Sequence, residues 1–354
     1  MVRKTKKTNF MLFAIVLLFA IFFGWVSGGL FASSDVGRER LLIDMWVYSF
    51  LSLVLHVTLS LLGSAFLGLS QGMSFVSINL FGFELVKEND RYKFVKNKTP
   101  GFIGTCWLKP RDRDERFQYE GFYLGGIAVT IVSLFICLLI GSQSIFSYSF
   151  IIVGIIMLIS SISPFTNNGV NMVKTAKKSA KEEELLYSNL MAHSQLVSGK
   201  TFLELDDTCF FSLSNEKNFL LDYQILLKIG RAYEEEDFYM VRNLLNDCWY
   251  RKDSLVKPIE IKVKKELLFY LLIFEPKDDR ISMLISDSKV QKSLKHSNVT
   301  NNRIKAAIAY YEEGASEKVL SLLDEGIDWN KEVPNLGVFQ LEQKGIKKMR
   351  SAWF

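Results

Sequence analysis

Leu51-Ser52-Leu53-Val54-Leu55-His56-Val57-Thr58-Leu59-Ser60-Leu61-Leu62-Gly63 reads as the middle of an apolar helix carrying one titratable side chain. A hydrocarbon core of about 30 Å needs roughly 20 such residues in a helix. Working outward, the apolar stretch runs from about Met45 to Leu69. Three further segments qualify as spans: Asn9 to Ala32, Phe122 to Ile140 and Ile145 to Phe165. The last two are separated only by the uncharged turn from Gly141 to Ser144. Behind Arg3, Lys4, Lys6 and Lys7 the first segment also fits a signal peptide, but its length and the spans that follow favour a retained helix.

Of the 354 residues 49% are hydrophobic, and almost all the long apolar runs fall before Phe165, leaving a charged, soluble-type remainder. A net charge of +5, dispersed along the chain, argues against a nucleic-acid partner. Lys and Arg near the spans set orientation instead. They crowd the N-terminus, the connection from Lys87 to Arg116, and Lys174, Lys177 and Lys178, whereas the opposite side offers only Arg38 and Arg40. Both termini are therefore expected in the cytoplasm of a multi-pass protein in a cell membrane. Cys106, Cys137, Cys209 and Cys248 show no CxxC pairing, which points away from a disulfide framework or structural zinc.

A titratable group at membrane depth is a functional lead by default. For His56 the alternative is a neutral ring hydrogen-bonded to a neighbouring helix. The surroundings add weight to the first reading. Gly72 to Phe83 is β-prone, Lys87-Glu88-Asn89-Asp90 reads as a turn, and Arg91 to Val95 alternates, which together predict a membrane-associated β-hairpin over 72–98. The fourth span closes on Ser160-Ser161-Ile162-Ser163-Pro164-Phe165-Thr166-Asn167-Asn168-Gly169, a proline break followed by a polar turn.

This order of elements resembles the site-2 protease family of intramembrane zinc metalloproteases, over about Met45 to Asn171. In that family one helix carries HExxH, a membrane-dipping hairpin follows, and a later helix ends near NxxP…DG. The resemblance implies that His56 stands at the first histidine ligand, Val57 at the glutamate base and Ser60 at the second histidine. Asn168 stands at the aspartate and Ser161 at the asparagine. One histidine and a serine at i and i+4 do not grip a zinc ion. Valine neither abstracts a proton nor orients water. His56 is then the one retained candidate ligand, with no catalytic residue and no zinc or other cofactor expected. The implied groove for a peptide or partner takes in Phe75, Ser77, Asn79, Phe81, Pro164 and Asn167. Gly125-Gly126 and Thr130 read as helix-packing residues.

Beyond a juncture at 173–216, residues 217–354 read as helical hairpins. Leu226 to Glu235 pairs with Val241 to Leu245, Glu266 to Phe274 with Ile281 to Ile285, and Ala306 to Glu313 with Val319 to Leu323. Units of about 35–40 residues suggest a tetratricopeptide-like array, with an irregular helical bundle as the alternative. The expected fold is thus an α-helical membrane protein of four transmembrane helices with a β-hairpin, then an all-α cytoplasmic domain. An anchor helix and external loop (1–42) precede a membrane core (43–172). The expected function is non-enzymatic: a protease-like scaffold binding a transmembrane peptide, a membrane protein or a sister subunit, its tail recruiting a cytoplasmic protein. The resemblance implies a bacterial peptide maturation, export or immunity setting. An active metalloprotease with an altered metal site, and a transporter or immunity component, are the other readings.

Overall fold

In a computed structural model, residues 38–88, 91–96, 104–111, 117–140, 144–163, 169–211, 219–328 and 336–354 are described. The expected first span, Asn9 to Ala32, lies outside them. Helix α1 spans Arg38–Ser70, α2 Glu120–Ile140, α3 Ile145–Ile162 and the short α4 Gly169–Ala176. Within the first three, Leu42–Ser70, Glu120–Ile140 and Ile145–Ile162 are long and apolar enough to cross a membrane. The chain divides into two compact units, one of residues 1–71 with 118–175, the other of 72–117 with 176–354.

The first unit is an inside-out bundle. Ser52, His56, Thr130, Ser147 and Ser149 are buried, whereas Trp46 and Phe66 are 78% and 70% exposed. Water would favour the reverse; hydrocarbon favours this arrangement, because lipid tails accept the large side chains while small residues let helices approach. At the α1–α2 crossing, a Cβ added to Gly125 would sit 2.5 Å from the Gly63 carbonyl oxygen. Side chains satisfy the starts of α2 and α3: the Gln71 side-chain oxygen accepts from Gly121 N–H at 2.9 Å, and Ser144 caps α3 by accepting from Ser147 N–H.

The second unit begins with a four-stranded antiparallel sheet in the order β3-β2-β1-β4, from Ser74–Leu80 (β1), Phe83–Glu88 (β2), Arg91–Lys96 (β3) and Gly104–Lys109 (β4). The sequence alone predicts one hairpin, with Gly72 to Phe83 as a single strand. The structure breaks that stretch at Phe81 and Gly82, whose φ angles of 49° and 85° make a two-residue turn with Leu80 opposite Phe83. Positive φ at both positions matches the right-handed twist of the strands, which is why glycine sits second. β1 carries a bulge at Val76, because Phe75 pairs with Leu108 and Ser77 with Trp107.

Helix α5 (Ala180–Val197) covers one face of this sheet. Its start is capped by Ser179, whose hydroxyl accepts from Glu182 N–H. Val197 joins Val76, Val86 and Val95 in a small apolar core, and the His193 ring lies 3.8 Å from that of Trp107. Burial, helped by the nearby Lys262 charge, pushes the His193 pKa down to about 4. The unfolded chain takes up this proton near pH 6.5, so stability is full above that pH and falls as pH drops toward 4. We expect about 2–3 kcal/mol of acid-dependent loss from this one ring, read by thermal unfolding across that range. His193→Phe should flatten the profile; an unchanged slope would mean other groups carry it.

After a short turn at Asp207–Cys209 come α6 (Phe219–Glu234), α7 (Phe238–Tyr250), α8 (Lys257–Phe274), α9 (Arg280–Ser286), α10 (Ser288–Leu294), α11 (Val299–Ile308), α12 (Ser316–Asp328) and α13 (Leu336–Trp353). The helical stretches read in the sequence fall on these elements, except that Glu235 lies one residue past α6 and Ala309–Glu313 carries α11 on as a π-helical segment. Successive helices pack as neighbours around a shared core that includes Leu245, Leu268, Leu272, Ile304 and Leu323. In a one-dimensional array each repeat touches only its neighbours. Here α13 also returns to α5 and α6, and Lys344 and Lys348 of α13 pair with Glu236 just past α6.

Candidate functional site

His56 sits at the centre of the first unit with no exposed surface. Its Nε2 lies 2.8 Å from the carbonyl oxygen of Phe150 on α3. A carbonyl only accepts, so this nitrogen carries the proton and Nδ1 keeps the lone pair. The imidazole stacks on the Phe150 ring, centroids 4.0 Å apart and planes 27° from parallel. Gly154, one turn along α3, supplies the room: a Cβ there would stand 2.7 Å from Cε1 and Nε2 of His56. Among the described residues Nδ1 has no hydrogen-bond partner, and neither has the hydroxyl of Ser52, one turn earlier on α1.

Four residues along a helix turn about 400°, so Ser60 is offset from His56 by about 40° and meets a different neighbour. Its hydroxyl faces Gly126 of α2, where a Cβ would collide with it. Val57 is buried between these two positions. His56 therefore serves the α1–α3 contact and Ser60 the α1–α2 contact. Asn168, together with Pro164 and Asn167, lies outside the described residues. Among the described residues no group of three or more His, Cys, Asp and Glu side chains converges in a way that could hold a metal ion.

The sheet residues of the expected groove lie on β1 and the turn that follows it. β1 has β2 on one side and β4 on the other, so its backbone is already paired. Among the described residues the outer strands of the sheet are β3 and β4. Phe75 is half-buried against Tyr92, ring centroids 5.8 Å apart, and Phe81 is exposed at the turn. Ser77 and Asn79 point to the covered face, beside Val86 and Trp107 for the first and Glu84 and Thr105 for the second. The Ser77 hydroxyl and both amide atoms of Asn79 are buried without a hydrogen-bond partner among the described residues.

Gly154 and Phe150, the residues that fix the His56 ring, are not singled out by sequence reasoning. The available signal is a lone glycine in the middle of an 18-residue apolar helix. Neither known protein families, nor curated proteins, nor solved structures contain a match to this chain.

Proposed function

We propose that this chain is a multi-pass membrane protein that keeps the element order of a site-2 protease without its metal chemistry, and that it holds a transmembrane peptide or partner protein. Four spans, both termini in the cytoplasm and a repeat-like tail that recruits a cytoplasmic protein or sister subunit complete this reading. A bacterial peptide maturation, export or immunity system is its setting. The observation that supports it is that Val57 and Ser60 stand at the neighbouring motif positions, with Ser60 turned to the α1–α2 contact and His56 to a hydrogen bond with α3. His56 keeps a lone pair only at Nδ1, Ser60 supplies no second imidazole one turn on to share an ion with it, and valine offers no base. Among the described residues β3 and β4 are the outer strands of the sheet, the position at which an extended peptide can pair by its backbone without any catalytic residue.

Metal analysis of the purified full chain tests this directly. Zinc should be far below one per chain and unchanged by His56→Ala, while a membrane peptide crosslinked in native membranes is still retained by that variant. Near-stoichiometric zinc that disappears with His56→Ala, together with peptide cleavage, would instead establish the active-protease reading.

A further inference from the structure

Strand alternation gives the sheet two unlike faces. One carries Val86 and Val95 and is covered by α5. On the other, Phe83 stands opposite Lys96, Leu85 opposite Phe94, and Lys87 opposite Tyr92. Phe83, Tyr92 and Phe94 are 55%, 64% and 71% exposed, and Phe81 is exposed at the adjoining turn. The described positions of this face include no carboxylate, since Glu84 pairs with Val95 on the covered side. Lysine on an edge strand commonly guards against unwanted strand pairing. That role gives no reason for aromatic rings to crowd the same exposed face.

Aromatic rings among Lys and Arg are instead the composition of the headgroup layer, where the rings sit at the apolar boundary and the cations meet lipid phosphates. Connectivity points the same way. α1 ends at Ser70 and β1 starts at Ser74, a reach of at most about 14 Å even if fully extended. The headgroup layer beyond the hydrocarbon is itself about 5–8 Å deep. Lys87 and Lys96 share the face of Phe83, Tyr92 and Phe94, whereas Arg91 and Lys93 alternate to the other side, so the aromatic face carries a positive charge that matches an anionic leaflet.

We propose that the Phe83–Tyr92–Phe94 face of the sheet lies on the bilayer surface and binds anionic phospholipid headgroups through Lys87 and Lys96. This rests on reading the apolar helices as membrane spans and adds a second, interfacial contact with lipid. Phe94 replaced by the photocrosslinker p-benzoylphenylalanine in the full chain tests it, in nanodiscs of phosphatidylcholine with and without phosphatidylserine. Phospholipid adducts should form several-fold more readily than with the same probe at Tyr250, an aromatic position of the helical domain more exposed than Phe94. Phosphatidylserine should raise the yield and Lys96→Glu should lower it. Equal yields at the two sites, or crosslinks at position 94 to protein instead of lipid, would overturn the proposal while the chain still resists carbonate extraction. A yield indifferent to phosphatidylserine would remove its electrostatic half. Release of the chain by carbonate would overturn the span reading instead.

Discussion

Arg303→Met is expected to cost the protein about 3–5 kcal/mol, the usual penalty for stranding buried charge. The guanidinium of Arg303 on α11 donates from Nη2 to both oxygens of Glu266 on α8, at 3.0 and 2.8 Å. Its Nε forms a 2.9 Å ion pair with Glu342 on α13, and its carbon lies 4.1 Å from the centre of the Phe269 ring. Side-chain exposure is 7% for Arg303, 16% for Glu266 and 10% for Glu342, so removing the cation leaves two carboxylates facing each other away from water. Burial already holds the Glu342 carboxyl above its ordinary range despite the nearby Arg303 charge. Denaturant unfolding of the full chain, followed by far-UV circular dichroism, would give the loss. Adding Glu266→Gln and Glu342→Gln should recover much of it, since neutral amides cost less to bury. A single variant within about 0.5 kcal/mol of the parent would show that water reaches the triad.

Gly125→Val is the second large effect, expected at about 3 kcal/mol or more of lost bundle stability. The mechanism is steric and cannot be relieved by a rotamer change. Even the first carbon of the new side chain meets the backbone carbonyl of Gly63, and Ser64 Cα lies 3.0 Å away. The helices must therefore part, and the loosened α1 also loses register with α3, where His56 meets Phe150. Gly345 provides a control, because a Cβ there would make an ordinary 3.6 Å contact with Arg303 Cδ. Unfolding in mixed micelles should separate Gly125→Val sharply from Gly345→Ala. Similar behaviour of the two would mean that α1 and α2 do not pack through these glycines.

The apolar spans and the tail helices are legible in the sequence because each declares itself locally. Three of the four expected spans fall on described helices, and Leu226 to Glu235 or Val319 to Leu323 show their helical period without help from distant residues. The sheet is only half legible. Phe81-Gly82 hides a reversal inside what reads as one strand, and Gly104–Lys109, as long as Arg91–Lys96, lacks its alternation of polar and apolar residues. α13 is also unread, though it closes the helical domain. His56 stands out as unusual, but its partner Phe150 is 94 positions away, and no local pattern specifies which carbonyl a buried imidazole will meet. The resemblance to a metalloprotease predicts which chemical groups are missing; it does not predict that the remaining histidine stitches two helices together.

The interruption of the second unit by the first has a consequence for synthesis. β1 to β4 leave the ribosome before α2 and α3, yet the helix that covers their inner valines ends at Val197, about 90 residues after β4. At about 5–20 residues per second this half-built layer waits some 5–18 s with Val86, Val95 and Trp107 uncovered. A nascent chain stalled before residue 180 should therefore engage chaperones or clump through these strands, and one stalled well past 230, with α5 free of the exit tunnel, should not.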